Sequence, residues 1–207
     1  MTNLYPLPFI ASSDRLPAPL PTIEAIITSP HVVQESTGRR IVRVGPHFLV
    51  KYGRNVTLIE GENLLFVEQF PDIPTPQIYA IYTDKDTRVN YIVMENVEGQ
   101  SLDSCWATLK TTEKTAIAGR LRDVFDQLRD IPCPGYFGSL GNRPLEDSMF
   151  WTADDAATAV INGPFETEAQ LNEAMVQKYL YSTTLSQKAE FYRCILPLVL
   201  KDHNPVF

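Results

Sequence analysis

Features typical of membrane, secreted and metal-binding proteins are scarce in this 207-residue sequence. Its three cysteines, Cys105, Cys133 and Cys194, form neither a metal-ligand spacing nor a disulfide framework. We therefore expect buried, reduced thiols and no metal site. No apolar run approaches the roughly 20 residues that cross a bilayer, and residues 1–17 lack the basic start and apolar core of a signal peptide. These absences predict a cytoplasmic protein.

Basic residues are also sparse. The chain has 18 Lys and Arg residues against 25 Asp and Glu residues, which gives a net charge of -7. The densest basic group is the pair Arg39 and Arg40, so the sequence predicts neither a nucleic-acid partner nor a membrane partner. The hydrophobic fraction of 44% and the charged fraction of 21% are those of an ordinary globular protein with a substantial core.

Proline dominates the beginning of the chain, where it favours extended backbone over helix. The prolines are Pro6, Pro8, Pro17, Pro19 and Pro21. Because Pro21 suits a helix start and Ile23, Ile26 and Ile27 follow at helical spacing, a short helix is predicted there. Residues 1–37 are thus interpreted as a proline-rich arm lying on the surface, with one short helix.

The pattern of residues 38–98 predicts an antiparallel sheet with one packed helix. RRIVRVG and HFLVKYG flank the turn signal Gly45-Pro46, which favours a tight hairpin. LIEGENLLFVEQF has the spacing of a helix that the prolines of PDIPTP end. QIYAIYT and NYIVMENV then alternate as strands. The order is strand, strand, helix, strand, strand.

Residues 99–207 are predicted to be mostly helical, with a boundary near Glu98-Gly99. Residues 112–130 have an apolar stripe on one side of a helix and charges on the other. Thr167 and Gln170 have capping-box spacing at the start of another helix. A last helix contains Pro197, which is expected to kink or shorten it. The fold class predicted from the whole pattern is α+β.

Five segments, in this order along the chain, resemble the aminoglycoside phosphotransferase-like family of kinase-fold proteins, in particular its fungal members. They are HFLVKYG, IEGENLLFVEQF, IPTPQIYAIY, YIVMENVEGQSLDSCW and LRDIPCPGYFGSLGNRP. The resemblance runs from about residue 38 to the end. It implies a protein-kinase-like architecture, with a small sheet lobe at residues 38–98 and a truncated helical lobe at residues 99–207.

The resemblance also implies a nucleotide-type site. Lys51 matches the lysine that holds phosphates, and Glu62 matches its partner on the following helix, with Glu60 as the fallback. The strand end Met94-Glu95-Asn96-Val97 matches the linker whose backbone holds an adenine ring. The predicted ligand-binding cleft comprises Val44, Leu49, Met94, Glu95 and Val97.

Phosphoryl transfer needs an aspartate base and metal ligands, which the resembled family carries in a His-Gly-Asp…Asn loop. None of His31, His47 and His203 is followed two residues later by aspartate. The resemblance therefore implies a protein truncated before its catalytic loop, with no metal and no cofactor. It also implies that residues 112–130 expose an apolar face, through which we expect a homodimer.

Three functions remain open at this point. In the first, the cleft is reused for a small organic molecule, as in a cyclase or isomerase of fungal secondary metabolism. Lys51 would then polarise a carbonyl, and His47 or Tyr52 would act as acid or base. Alternation along a strand allows only one of Lys51 and Tyr52 on a given face. Alternatively, the protein is a pseudokinase that binds without catalysis. The third possibility is an atypical phosphotransferase that uses one of three acidic residues, Asp154, Asp155 or Asp202.

Overall fold

The computed structural model describes residues 5–132, 134–152, 160–183 and 186–203. The chain divides into two compact units, the first from Tyr5 to Asp130 and the second beginning at Ile131. Residues 99–130 thus belong by their contacts to the first unit, although the sequence places a boundary near Glu98-Gly99. The predicted α+β class is confirmed. The assignment of a kinase-like lobe and a helical lobe stays a prediction.

A six-stranded antiparallel sheet forms the framework of the first unit. Its strands are β1 (Phe9–Ile10), β2 (Val32–Ser36), β3 (Arg39–Val44), β4 (Phe48–Gly53), β5 (Ile78–Thr83) and β6 (Asn90–Glu95). The order across the sheet is β1-β5-β6-β4-β3-β2. Strand β4, which carries Lys51, therefore lies in the interior of the sheet between β3 and β6.

The hairpin predicted around Gly45-Pro46 is present. Val44 lies opposite Phe48, and Gly45 has a φ of 61°, a left-handed conformation that glycine adopts without steric cost. Strand β2 was not predicted, because every one of its residues is exposed at the sheet edge and its register against β3 shifts after Val32. Exposure on both sides removes the apolar alternation by which a strand is recognised.

Four helices belong to the first unit: α1 (Ile23–Ile27), α2 (Leu58–Val67), α3 (Leu102–Cys105) and α4 (Thr111–Arg129). Helix α1 begins where the sequence predicts it, with the Thr22 hydroxyl accepting from the Ala25 amide at 3.2 Å. Helix α2 packs on β5 and β6. The bounds of α4 match the predicted helix to within one residue.

Side chains on the two faces of the sheet pack into separate clusters. The α1 face is covered by α1 and comprises Ile26, Val42, Phe48, Val50, Tyr79, Ala80, Tyr91 and Val93. The α2 face is covered by α2 and comprises Val56, Leu65, Ile78, Ile81, Ile92 and Met94. Alternation along β4 produces this division, because Phe48 and Val50 point to the α1 face while Leu49 points to the α2 face.

The proline-rich arm is part of the sheet rather than a surface appendage. It contributes β1, whose Phe9 pairs with Ile81, and the Ala11 amide donates to the Tyr79 carbonyl at 2.8 Å. Its apolar side chains reach both faces, with Leu7 packed against the α2-face cluster and Leu16 against the α1-face cluster. The arm is thus held at the sheet edge, and within residues 5–20 only Ala11 is buried. Extended backbone was correctly predicted, and an extended segment is what a sheet edge accepts.

Helix α4 buries no residue. Leu121 and Phe125 on its apolar stripe are 47% and 54% exposed. The exposed apolar face implied by the sequence is thus present, while the homodimer through it stays a prediction.

The second unit contains α5 (Glu168–Ser182) and α6 (Ser186–Val199). The predicted capping box is present, since the Gln170 amide donates to the Thr167 hydroxyl at 3.2 Å and the Gln170 side chain accepts from the Thr167 amide. Arg193 of α6 donates to the Glu173 carboxylate of α5 at 2.9 Å. Pro197 does not end α6, which continues for two more residues.

The cysteines differ from the expectation of buried thiols. Cys194 is exposed and Cys105 is partly exposed, and both are free. Cys133 lies outside the described residues. In the part of the chain that the structure describes, no helix combines the length and apolarity needed to span a bilayer.

Candidate anion-binding site

Lys51 projects from the middle of β4 onto the α2 face. It lies opposite Ile92 of β6 and Ile41 of β3. Its Nζ donates to both carboxylate oxygens of Glu60, and its side chain is only 12% exposed against 41% for Glu60. A largely desolvated ammonium on an apolar sheet is costly unless it is paired. The Glu60 carboxylate supplies that partner.

Helix α2 brings Glu60 to the lysine because it lies very close to the sheet. Gly61 is the point of approach, since a Cβ atom at this position would lie 2.8 Å from Ile81 Cδ1 and 3.4 Å from Ile92 Cγ2. Real Cβ contacts are not this short, so a larger residue would displace the helix or its neighbours. Glu60, in the first turn of α2, can thus reach Lys51.

Two glutamates of α2 were candidates for the partner of Lys51. Glu62, predicted as the first choice for the lysine's partner, is fully buried, whereas the carboxylate that accepts from Lys51 is that of Glu60, the fallback. The two residues are about 200° apart around a helix of 3.6 residues per turn. Burial raises the pKa of Tyr5, the Gln69 hydrogen bond opposes this, and the Glu68 and Glu62 carboxylates add to the rise.

Tyr52 lies on the opposite face from Lys51, as alternation predicted. Its ring stacks on Tyr91 at a centroid distance of 5.5 Å, and Tyr91 stacks in turn on Tyr82 at 5.0 Å. The Tyr52 hydroxyl accepts from Arg40 at 3.5 Å. Because the sheet separates the phenol from the Lys51 amine, the structure does not bring these two predicted catalytic groups together.

His47 is also distant from Lys51. It is an exposed residue in the turn before β4, and its carbonyl accepts from the Asn96 amide at 2.8 Å. It lies four residue positions before Lys51 on extended backbone, so the two Cα atoms are about 13 Å apart at 3.3 Å per residue. The role of His47 as acid or base stays a prediction.

The five predicted cleft residues do not line one surface. Leu49 and Met94 lie opposite each other on the α2 face beside Lys51. Val44 and Glu95 lie on the α1 side of the sheet, and Val97 is 62% exposed beyond the end of β6. Of these five residues, Leu49 and Met94 therefore share a face of the sheet with the Lys51–Glu60 pair, and the cleft itself stays a prediction. Successive residues of a strand point to opposite faces, which separates the five.

Sequence reasoning missed a polar cluster at the far end of α2. Arg15 of the arm donates to Glu68 at 2.8 Å, and Glu68 also accepts from the Ile78 amide. With its amide in the orientation that satisfies its neighbours, the Gln77 side-chain oxygen accepts from Arg15 Nη2 and Nε at 3.1 Å. No local signal marks Arg15, because its partners are distant in sequence.

Three acidic residues were considered for an atypical phosphotransferase. Asp154 and Asp155 lie outside the described residues, and Asp202 is an exposed residue of the second unit. Among the described residues, no group of three or more His, Cys, Asp or Glu side chains could hold a metal ion.

Two fungal proteins are similar to this chain. Both are from Aspergillus fumigatus, one from each of two strains, and both are named subtelomeric hrmA-associated cluster protein. Each is 25% identical over 153 residues, which cover 64% of this chain and 30% of the relative. The match therefore spans less than a third of the relatives' length. No family model matches the sequence, and no solved structure matches it.

Proposed function

We propose that residues 5–130 form a kinase-like lobe that binds the phosphate of a nucleotide, or another small anion, through Lys51. The observation that carries the proposal is the Lys51–Glu60 ion pair. In protein kinases a lysine on the third strand pairs with a glutamate on the following helix, and this pair positions the lysine for the phosphates. Here β2, β3 and β4 are consecutive antiparallel strands, Lys51 is on the third, and α2 follows it.

Binding, rather than phosphoryl transfer, is the activity proposed for this lobe. The sequence has no histidine followed two residues later by aspartate, so it supplies no counterpart of the aspartate base in the family's loop. The relatives are much longer than the matched region. Any activity of a longer protein that contains such a lobe is a separate proposal.

A second candidate is an enzyme of secondary metabolism in which Lys51 polarises a carbonyl or stabilises an enolate. The observation in its favour is the apolar surround of the amine, where Leu49 and Met94 lie beside it on the α2 face. A desolvated cation of this kind stabilises developing negative charge strongly. The relatives' association with a subtelomeric cluster is compatible with this role and specifies no reaction.

Thermal unfolding with and without millimolar MgATP, ADP and free ATP tests the first candidate. A ligand at about 100 times its Kd stabilises the folded state by about 2.7 kcal/mol, which raises Tm by a few degrees in a chain of this size. We expect this rise in the wild type and its loss in Lys51→Met, which keeps the length of the side chain. Lys85→Met, an exposed lysine outside the site, is the matched control and should retain the rise.

Absence of a Tm rise with every nucleotide in the folded wild type would reject the first candidate. A rise that persists in Lys51→Met would place nucleotide binding elsewhere. If nucleotides fail, a Lys51-dependent rise with small carboxylates or carbonyl compounds would support the second candidate.

A further inference from the structure

The amino-terminal arm attaches to the same helix that supplies Glu60. Helix α2 has only 10 residues, and its N-cap residue, Thr57, makes no side-chain capping bond. Isolated helices shorter than about 12 residues are marginal in water, so tertiary contacts must fix the position of α2. Helix α2 buries only three residues, Gly61, Glu62 and Leu65. The arm adds contacts with the end of the helix and with the apolar cluster beneath it.

Two polar contacts join the arm to the C-terminal end of α2. Arg15 forms an ion pair of 2.8 Å with Glu68, the C-cap residue of the helix. Tyr5 accepts from the Gln69 side chain through its hydroxyl. Because Arg15 also donates to Gln77, just before β5, its guanidinium connects the end of the helix to the start of a central strand.

Apolar contacts extend the attachment along the helix. Tyr5, Leu7 and Phe9 of the arm pack against the α2-face cluster, as do Leu58 and Leu64 of the helix. Phe9 is held in register by its pairing with Ile81. The arm therefore packs on the cluster that seats α2 and bonds to the helix end, while its own position is fixed by the sheet.

We propose that Arg15 is a positioning residue for the Lys51–Glu60 pair, so that the amino-terminal arm controls the anion site. Loss of the Arg15 contacts weakens the attachment of the C-terminal end of α2, where the contacts of Glu68 with the Ile78 amide and of Gln69 with Tyr5 remain, and lets the short helix tilt or shift on the sheet. Glu60 then leaves Lys51, because one bidentate hydrogen-bonded contact defines the pair. The geometry of this coupling is independent of the ligand. Its effect on anion binding rests on the proposed function.

Chemical labelling of Lys51 in the full chain measures the pairing directly. A lysine that is 12% exposed and bonded to a carboxylate reacts slowly with an amine-directed reagent such as acetic anhydride, and mass spectrometry gives the rate at each lysine. We expect Arg15→Ala to raise the rate at Lys51 about fivefold, the factor that corresponds to about 1 kcal/mol of lost pairing. Glu60→Gln provides the reference for the unpaired amine.

Three further variants separate positioning from general destabilisation. Val42→Ala removes a fully buried side chain on the α1 face, so it weakens the fold without touching α2. Arg129→Ala removes an exposed i,i+3 ion pair of the same charge type. Both should leave the Lys51 rate unchanged under native conditions. Arg15→Lys can keep the Glu68 pair but not both Gln77 bonds, and it should partly restore protection.

An unchanged Lys51 rate in a folded Arg15→Ala variant would overturn the proposal, as would an equal rise in Val42→Ala. If Arg15→Ala fails to fold, Gly61→Val displaces the same helix from its sheet side, where a Cβ meets Ile81. A Lys51 rate that stays at the wild-type value in Gly61→Val would contradict the dependence of the pair on helix position. None of these measurements uses nucleotide, so failure of nucleotide binding leaves them interpretable.

Discussion

The two faces of the sheet are built from the same strands and differ in chemistry. The α1 face is filled with aliphatic and aromatic side chains, and it includes the stack of Tyr52, Tyr91 and Tyr82. The α2 face is also largely apolar, yet it carries the ammonium of Lys51 and is covered by the helix that bears Glu60. Burying charge is expensive unless it is paired.

This difference indicates which face of the sheet is the better candidate for a binding site. A face that needed only stability would resemble the α1 face, because apolar contacts stabilise without the cost of desolvating charge. The presence of a lysine in the middle of β4 therefore favours the α2 face as the candidate binding face. Successive residues of one strand, Lys51 and Tyr52, allow this contrast to be tested with minimal change to the backbone.

The largest effect is expected on the α1 face from Tyr91→Ala. Tyr91 is 2% exposed and stacks with a ring on each side. Truncation of a buried aromatic side chain costs about 3–5 kcal/mol of unfolding free energy. Urea unfolding measures the loss, and Lys51 labelling in the folded fraction should be unchanged. A loss below about 1 kcal/mol would mean that the stack contributes little to the α1 face.

The parts of the fold that follow local rules could be predicted from the sequence. The β3–β4 hairpin and α5 were correct because a turn at Gly45-Pro46 and a capping box at Thr167 are set by neighbouring residues. For the arm, proline content predicts extended backbone but not which part of the protein the segment packs against. The position of the arm is set by the pairing of β1 with β5, which are distant in sequence.

The role of the candidate site stays a prediction. The resemblance indicated Lys51 and a glutamate on the following helix, and the structure places Lys51 in contact with Glu60 of α2. The contact of Glu60 with Lys51 depends on the rotation of α2 about its axis, to which the close approach at Gly61 contributes. Val44 and Leu49 point to opposite faces of the sheet, a consequence of register that composition does not reveal.

An intermediate effect is expected from alkaline pH, again on the α1 face. Burial raises the pKa of Tyr82 to about 12 from 10.0, with the neighbouring Tyr91 and Asp84 adding to the rise. Because the folded-state pKa is the higher one, this contribution to stability is complete below pH 10 and is lost as pH rises toward 12. Tyr82 is partly exposed, so solvent screening makes the loss smaller than the full shift implies.

Tyr82→Phe provides the control, since it keeps the stacked ring and removes the titrating hydroxyl. The decline of unfolding free energy above pH 10, followed by urea unfolding, should be shallower in this variant. An identical pH profile for Tyr82→Phe and wild type would assign the decline to other groups. Tyr91 is the first to examine, because burial raises its pKa as well.

The smallest effect is expected from Tyr52→Phe, the substitution that compares the two faces of β4 most directly. The variant loses only a 3.5 Å contact with Arg40, so stability should change by no more than about 0.5 kcal/mol. Since the phenol lies on the α1 face, the nucleotide-induced rise in Tm should match that of the wild type. Lys51→Met, one residue earlier on the same strand, should abolish that rise. If Tyr52→Phe reduced the rise as strongly as Lys51→Met, the ligand would contact both sides of β4, and the division of the sheet into a structural and a binding face would fail.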